Sequence, residues 1–272
     1  MPELPEVETS RCGILPHILQ QTISQVILRH TMLRWPIPND LPTILAQQQI
    51  KAVERRSKYI LLRFQQGTLI LHLGMSGVLR IVPSGTAAAK HDHVDIEFTN
   101  GICLRFSDPR RFGCILWTST DPTQHTLLKN LGPEPLGHEF NTEYLFAKTR
   151  KKTVASKLFL MNSHHVVGVG NIYANEALFD AQIHPQKPAG KLSRDDCHAL
   201  VESIKKILRK AIKHGGTTLK DFTQSDGKPG YFRNQLHVYG RGHQPCNHCR
   251  TILKESRISN RATVYCPTCQ KS

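Results

Sequence analysis

Four cysteines near the end of the chain have the spacing of a metal site: Cys246-x2-Cys249, sixteen intervening residues, then Cys266-x2-Cys269. Each Cys-x2-Cys pair sets two thiolates on one tight turn, and two such turns complete a tetrahedral Zn2+ site. Coincidence or a pair of redox dithiols are the competing readings, and two pairs at zinc-ribbon spacing in one short basic tail weigh against both. His243 and His248 stand nearby as spare ligands, but four thiolates already close the site. A closed site has no open position for water, so the one expected Zn2+ is structural and does no chemistry. Between the pairs, LKESRISNRATVY reads as a hairpin carrying Lys254, Arg257 and Arg261. From Arg241 onward there are six basic residues and one acid. A basic hairpin on a zinc staple suits DNA phosphate, although alone it would fit any zinc-ribbon binding module.

The same bias runs through the whole chain. Its 272 residues hold 36 Lys and Arg against 21 Asp and Glu, a net charge of +15. Such an excess favours nucleic acid first and an anionic membrane surface second, with a generic basic surface as the bland alternative. No run approaches the ~18 apolar residues of a membrane-spanning helix. The opening MPELPEVET lacks the basic and apolar regions of a secretory signal. The expectation is a cytoplasmic protein with no membrane partner, whose scattered Cys12, Cys103, Cys114 and Cys197 are reduced and buried.

The elements that must position these groups follow from periodicity. Residues 3–19 place Val7, Ile14, Leu15, Ile18 and Leu19 on one helical face, with Pro16 set to kink or end the helix. From about 22 to 118, short β-branched runs predict strands of an antiparallel sandwich or barrel. The clearest is a hairpin in which Val94, Ile96 and Phe98, then Ile102, Leu104 and Phe106, alternate with polar residues around Asn100-Gly101. Residues 131–141 read as a Pro/Gly-rich linker. A helix over about 193–214 has a Ser193/Asp196 capping box, a stripe through Leu200, Ile204, Leu208 and Ile212, and Gly215-Gly216 as its stop. Its lysines read as a solvated face. Residues 215–235 lack periodicity, which marks a functional or mobile loop.

Taken together, MPELPEVE, KHDH at 90–93, DPRRFG at 108–113, VVGVGNIYANEAL at 166–178, GGTTLKDF at 215–222, DGKPGYF at 226–232 and the four-cysteine tail resemble the formamidopyrimidine-DNA glycosylases, bacterial repair enzymes that excise oxidised purines. The resemblance covers the chain end to end and in order. It implies an α+β multidomain fold: an N-terminal helix plus two-sheet antiparallel β-sandwich (1–130), a helix–two-turn–helix DNA-binding domain (131–235) and a zinc-finger β-hairpin (236–272). DNA would run across the cleft between the lobes. The implied partner is double-stranded DNA with oxidised purines or abasic sites, bound by a monomer that is cytoplasmic and nucleoid-associated.

The resemblance also implies roles. Pro2 becomes the nucleophile once Met1 is removed. An α-amine has a reference pKa of about 7.7–8, so a useful fraction is neutral near pH 7, where a lysine at about 10.4 is charged. Attack at C1′ displaces the base and leaves an iminium, the electron sink for β- and δ-elimination. Glu3 is the general acid/base at the sugar ring oxygen. Glu6 lines the lesion pocket. Lys58 acts in elimination or on a phosphate, and Arg261 clamps phosphate around the flipped nucleotide. Met75, Arg110 and Phe112 fill the gap that flipping leaves. His91, Lys151 and Asn171 contact the backbone, Asn171 at a helix start where amides approach a phosphate. Lys220 belongs to a loop that covers the lesion. Read without the resemblance, Pro2 merely starts a helix, Lys58 is a strand-end lysine, and Met75 and Phe112 are core.

Three rivals remain. The sister family that removes oxidised pyrimidines opens MPEGPE, whereas this chain has Leu4 and keeps Met75 and DPRRFG. A non-catalytic DNA-binding descendant would be free to lose Pro2, Glu3 and Lys58, and all three are present. A zinc-ribbon adaptor explains the tail and leaves the N-terminus unexplained.

Overall fold

The computed structural model describes residues 2–217 and 232–271. They divide into two units. The first takes the chain up to Asn130 together with the return segment 214–217, and the second takes Leu131–Lys213 and the chain from Phe232 onward.

The first unit opens with α1 (Leu4–Ile18). Glu3 sits at its N-cap in extended conformation, Pro5 fills the first turn, and Glu3 and Glu6 form a reciprocal capping box. Pro16 lies inside the helix, which runs only two residues further. Of the predicted stripe, Val7, Ile14 and Ile18 enter the core while Leu19 stays exposed. Then come β1 (Ile23–Leu28), α2 (Leu41–Leu45), β2 (Ala52–Arg56), β3 (Tyr59–Arg63), β4 (Thr68–His72), β5 (Val78–Pro83), β6 (Asp92–Phe98), β7 (Ile102–Ser107) and β8 (Cys114–Thr118). The strands form two antiparallel four-stranded sheets, ordered β1-β6-β7-β5 and β2-β3-β4-β8. One apolar core gathers Val7, Ile14 and Ile18 with residues of both sheets, the sandwich that the alternation predicted.

The hairpin register is as expected, with Ile96 opposite Leu104 and Val94 opposite Phe106. Its polar face is not solvated, however. Asp95 and Arg105 are buried because residues 84–91 fold over them. Arg105 donates to the Thr86 carbonyl at 2.6 Å, the Ala87 carbonyl at 3.0 Å and Asp95 Oδ1 at 2.8 Å. Burial raises the Asp95 carboxyl, but the bonds from Arg105 and Arg29 outweigh it and hold the group below its ordinary value.

The second unit contains α3 (Thr142–Thr149), α4 (Ser156–Met161), α5 (Asn171–Asp180), α6 (Arg194–Lys213) and the hairpin β9 (Lys254–Ile258)–β10 (Arg261–Tyr265). The α6 cap is reciprocal: Ser193 N–H donates to Asp196 Oδ2 at 2.9 Å and Asp196 N–H to Ser193 Oγ at 3.0 Å. Two expectations are corrected. Residues 131–141 are not a free linker, because Phe140 is fully buried and Gly132 lies so close to the His165 backbone that a Cβ would meet it at 2.8 Å. Of the four scattered cysteines, Cys103, Cys114 and Cys197 are buried, but Cys12 is exposed on α1. No helix among the described residues is long and apolar enough to cross a membrane.

Candidate active site and nucleic-acid interface

Pro2 and Glu3 are buried at the head of α1. The Glu3 N–H donates to Glu6 Oε2 at 2.9 Å. Glu6 Oε1 accepts both the N–H and the hydroxyl of Thr217, each at 2.9 Å. Glu6 therefore ties the start of the chain to the 214–217 return. Gly216, at φ +76°, leaves no room there, since a Cβ would stand 2.9 Å from Glu6 Oε1. One turn further along α1, Glu8 bonds Arg11 at 2.7 Å and Arg55 at 2.9 Å. That pairing fixes α1 against β2, whose turn into β3 carries Lys58 after the left-handed Ser57.

Met75 and the pair Arg110 and Phe112 occupy two turns that nest backbone against backbone. Gly74 has φ +60°, and a Cβ on it would lie 2.4 Å from Gly113 N and from the Phe112 carbonyl carbon. Phe112 is 44% exposed, with the Arg110 guanidinium 5.0 Å from its ring centre. A large exposed phenylalanine capped by an arginine suits base stacking better than a core. Met32, Arg34, His72, Met75, Arg110 and Phe112 line a cavity of about 650 Å³ beside it. His72 was not singled out by sequence, yet it links the groups: its Nδ1 accepts the Gly74 N–H at 2.9 Å. Burial, helped by Lys58 and Arg34, pushes its pKa down to about 4, so the ring is neutral near pH 7 and Lys58 lies within its electrostatic reach. The one sequence signal was its place at the polar end of a buried strand. His91 is exposed and lines a second hollow with Arg29, His30, Lys90 and Arg111.

In the second unit, Lys151 is exposed between α3 and α4 at φ +61°. Asn171 opens α5 after Gly170, and its buried Oδ1 has no hydrogen-bond partner among the described residues. Arg261 begins β10 and is exposed. What holds its strand was invisible in the sequence. The fully buried Lys157 donates from Nζ to the Ala262 carbonyl and to Thr263 Oγ1, both at 2.7 Å. Asn175 on α5 accepts the Val264 N–H at 3.0 Å. The buried Glu176 takes the N–H groups of His237, Val238 and Tyr239 at 2.8–2.9 Å.

The sulfurs of Cys246, Cys249, Cys266 and Cys269 all lie within 4.8 Å of one another. Backbone N–H groups of His248 and Cys269 point at the sulfurs of Cys246 and Cys266, each at 3.4 Å, the environment a metal-bound thiolate needs. Four soft ligands with no carboxylate or imidazole in the group fit one structural zinc ion, and His243 and His248 stay outside it. The other acidic-thiol group among the described residues, Asp95, Glu97 and Cys103, is already engaged by Arg105, Arg29 and Gln25.

The first unit thus carries Pro2, Glu3, Glu6, Lys58, Met75, His91, Arg110 and Phe112, and the second carries Lys151, Asn171, Arg261 and the zinc ligands. Lys220 and the rest of the predicted lesion-covering loop over 218–231 lie outside the described residues.

Comparison with known proteins places three family models along the chain: the formamidopyrimidine-DNA glycosylase N-terminal domain at residues 1–115, its H2TH domain at 131–223, and the zinc finger found in FPG and IleRS at 244–271. The formamidopyrimidine-DNA glycosylase of Marinobacter nauticus is 56% identical over 271 residues, covering 100% of both chains. A Lactococcus lactis FPG variant crystallised with Fapy-dG-containing DNA superposes with a TM-score of 0.92 at 34% identity over 100% of both chains. The same bacterium's Fpg in complex with abasic-site DNA gives 0.91 at 35% identity, covering 99% of this chain and 100% of that one.

Proposed function

Because the chain belongs to the formamidopyrimidine-DNA glycosylase family, we infer that it excises oxidised purines, 8-oxoguanine and formamidopyrimidines, from double-stranded DNA in base-excision repair and cleaves the strand at the abasic site. The observation that carries this reading is the 56% identity over the whole length of a glycosylase. The net charge of +15 supports the polyanionic partner.

In the mechanism we propose, removal of Met1 frees the Pro2 nitrogen as a secondary amine. Its lone pair attacks C1′ of the lesion nucleotide, and the C1′–N bond breaks as the base leaves with a proton. Glu3 gives a proton to the ring oxygen, the sugar opens, and the nitrogen lone pair completes an iminium at C1′. That iminium acidifies the C2′ proton. Loss of the proton expels the 3′ phosphate, a second elimination expels the 5′ phosphate, and water releases Pro2. The buried setting of Pro2 and Glu3 supports this, since a dry site keeps competing water from the iminium. Lys58 serves elimination or holds a phosphate next to the sugar.

Met75, Arg110 and Phe112 fill the space that the flipped nucleotide vacates, and Arg110 hydrogen-bonds the widowed base. His91, Lys151 and Asn171 hold the backbone, and the buried Asn171 Oδ1, without a partner among the described residues, suits a site completed by a ligand. Glu6 forms the wall of the lesion pocket while anchoring α1. Arg261 clamps the phosphate beside the lesion, on a hairpin that zinc folds through Cys246, Cys249, Cys266 and Cys269. Lys220 reaches over the lesion. The three matched segments support a division into catalytic sandwich, helical DNA-binding domain and zinc finger. The enzyme acts as a monomer in the cytoplasm, on the nucleoid.

Borohydride trapping on a duplex with 8-oxoguanine opposite cytosine tests the reading, beside an oxidised-pyrimidine duplex and after mass confirmation that Met1 is absent. An adduct on the purine duplex that maps to Pro2, and is lost in Pro2→Gly while DNA affinity persists, is the expected result. Trapping on the pyrimidine duplex alone, or full turnover by Pro2→Gly, would overturn it.

A further inference from the structure

We propose that Asp108 is a positioning residue for DNA reading: from one buried carboxylate and its own peptide groups, it sets Met75, His91, Arg110 and Phe112 in a single relative geometry. The inference rests on the reading of those four side chains as DNA contacts given above.

Asp108 is fully buried. Its Oδ1 accepts the Ser76 hydroxyl at 2.6 Å, on the residue next to Met75, and the Arg110 N–H at 3.3 Å. Its Oδ2 accepts the Gly113 N–H at 2.8 Å, on the residue next to Phe112. Its own N–H donates to the His91 carbonyl at 3.0 Å, and its carbonyl accepts the Arg111 N–H at 3.2 Å. The same carbonyl pairs with His93 Nε2 at 2.8 Å. Three stretches of chain, 74–77, 91–93 and 108–113, therefore meet on one residue. Each brings a proposed DNA contact to within one or two residues of the meeting point.

A carboxylate is the group this job requires. It accepts on both oxygens and donates nothing, so one side chain can take an O–H and two N–H groups at once, in charge-assisted bonds about twice as strong as neutral ones. An amide would turn an NH2 toward one of those donors. The neighbouring backbone has no slack to absorb such a change. A Cβ on Gly74 or Gly113 would lie 2.4–2.7 Å from a backbone atom of the facing segment, and one on Gly77 would lie 2.4 Å from the Leu73 carbonyl oxygen within its own turn. A wedge works only when its parts keep their spacing, and displacement by about 1 Å is enough to cost on the order of a hundredfold in rate.

The test is Asp108→Asn, with Ser76→Ala as the milder change should the amide variant fold poorly. The readout is a duplex with a tetrahydrofuran abasic analogue opposite 2-aminopurine, whose fluorescence rises when the opposite base is unstacked. It is measured at saturating folded protein beside kcat and KM on 8-oxoguanine paired with C and with A. Phe112→Ala serves as the reference for a lost wedge. For Asp108→Asn we expect most of the 2-aminopurine response to disappear. We also expect kcat/KM to fall on the order of tenfold to a hundredfold, and discrimination between C and A to narrow. Ser76→Ala should move the same quantities less. A purely structural Asp108 would lower Tm and leave the saturated signal and the C/A ratio intact, and that result overturns the inference. If Phe112→Ala also leaves the signal unchanged, the wedge reading fails and the inference falls with it.

Discussion

Arg261 sits at the start of a five-residue strand whose turns are gathered by four thiols, with a small apolar cluster of Phe179, Val238, Leu253 and Val264 behind them. Arg110 and Phe112 sit on a turn gathered by one carboxylate and by glycine backbones packed too closely for a methyl group. Both arrangements hold exposed basic or aromatic side chains on a rigid base. The zinc hairpin is a short segment with little core of its own, so a metal supplies what burial cannot. The paired turns lie against the main core of a sandwich, where many weak constraints add up. A metal-held element should therefore fail all at once when its ion is removed. A hydrogen-bonded, close-packed one should fail in graded steps.

The largest expected effect is that of chelation or of Cys249→Ser. Structural zinc contributes an apparent free energy of about 10 kcal/mol or more in zinc-finger peptides, far beyond what four buried apolar side chains replace. The hairpin should lose its fold and the protein its DNA binding. The first unit should be untouched. Both tryptophans, Trp35 and Trp117, lie in that unit, so their fluorescence and its urea transition isolate it. Proteolysis within 241–272 alongside an unchanged tryptophan transition is the expected pair of observations. A joint collapse would show that the two regions are not independently held.

Gly74→Ala makes the complementary break. The residue has φ +60° and its new Cβ would strike the Gly113 and Phe112 backbone at 2.4 Å, with no flexible side chain to give way. Left-handed strain and overpacking together cost about 2–4 kcal/mol. The tryptophan transition should shift by that amount while zinc content stays at one per chain. Wild-type stability in this variant would mean that the two turns separate easily, and would weaken the case for a rigid wedge.

The same contrast decides what could be read from the sequence. The zinc site was legible because its spacing is local: each pair of ligands sits on one turn, and chemistry dictates the interval. The α6 cap and the β6–β7 register were legible for the same reason. The sequence assigns Asp108 no task, because Ser76 lies 32 residues away from it and nothing in either segment announces the other. Lys157 gives no signal in the sequence, because a lysine in a short helix is normally solvated and only the fold shows its Nζ buried under the Arg261 strand. The burial of the polar face of the β6–β7 hairpin does not show in the sequence, because alternation cannot reveal that the preceding segment, 84–91, covers it. Met75 and Phe112 read as core without the family resemblance, since exposure is a property of the assembled turns.

The smallest expected effect separates the two regions by pH. His72 is held at a pKa of about 4 against about 6.5 for an unfolded histidine. Above pH 6.5 the ring is neutral in both states and contributes no slope. Between 6.5 and 4 the unfolded chain binds a proton that the folded site refuses, so stability falls as pH falls, and below 4 the loss is complete. The whole interval is worth on the order of 3 kcal/mol, about 2 of it already lost by pH 5. Removing the titrating ring by His72→Gln should flatten that part of the decline. Urea transitions followed by tryptophan fluorescence at pH 7 and pH 5 measure it without interference from the zinc thiols, because neither tryptophan lies in the zinc-bearing unit. Carboxylates such as Asp95 and Glu8, whose pKa values are lowered, add their own loss at lower pH, but they do so equally in both proteins and cancel in the difference. Equal slopes for wild type and variant would mean that His72 accepts its proton at an ordinary pH despite Lys58 and Arg34 beside it. The turn would then carry an extra positive charge at pH 6, and the Gly74 N–H would lose its acceptor just where the wedge is supposed to be most rigid.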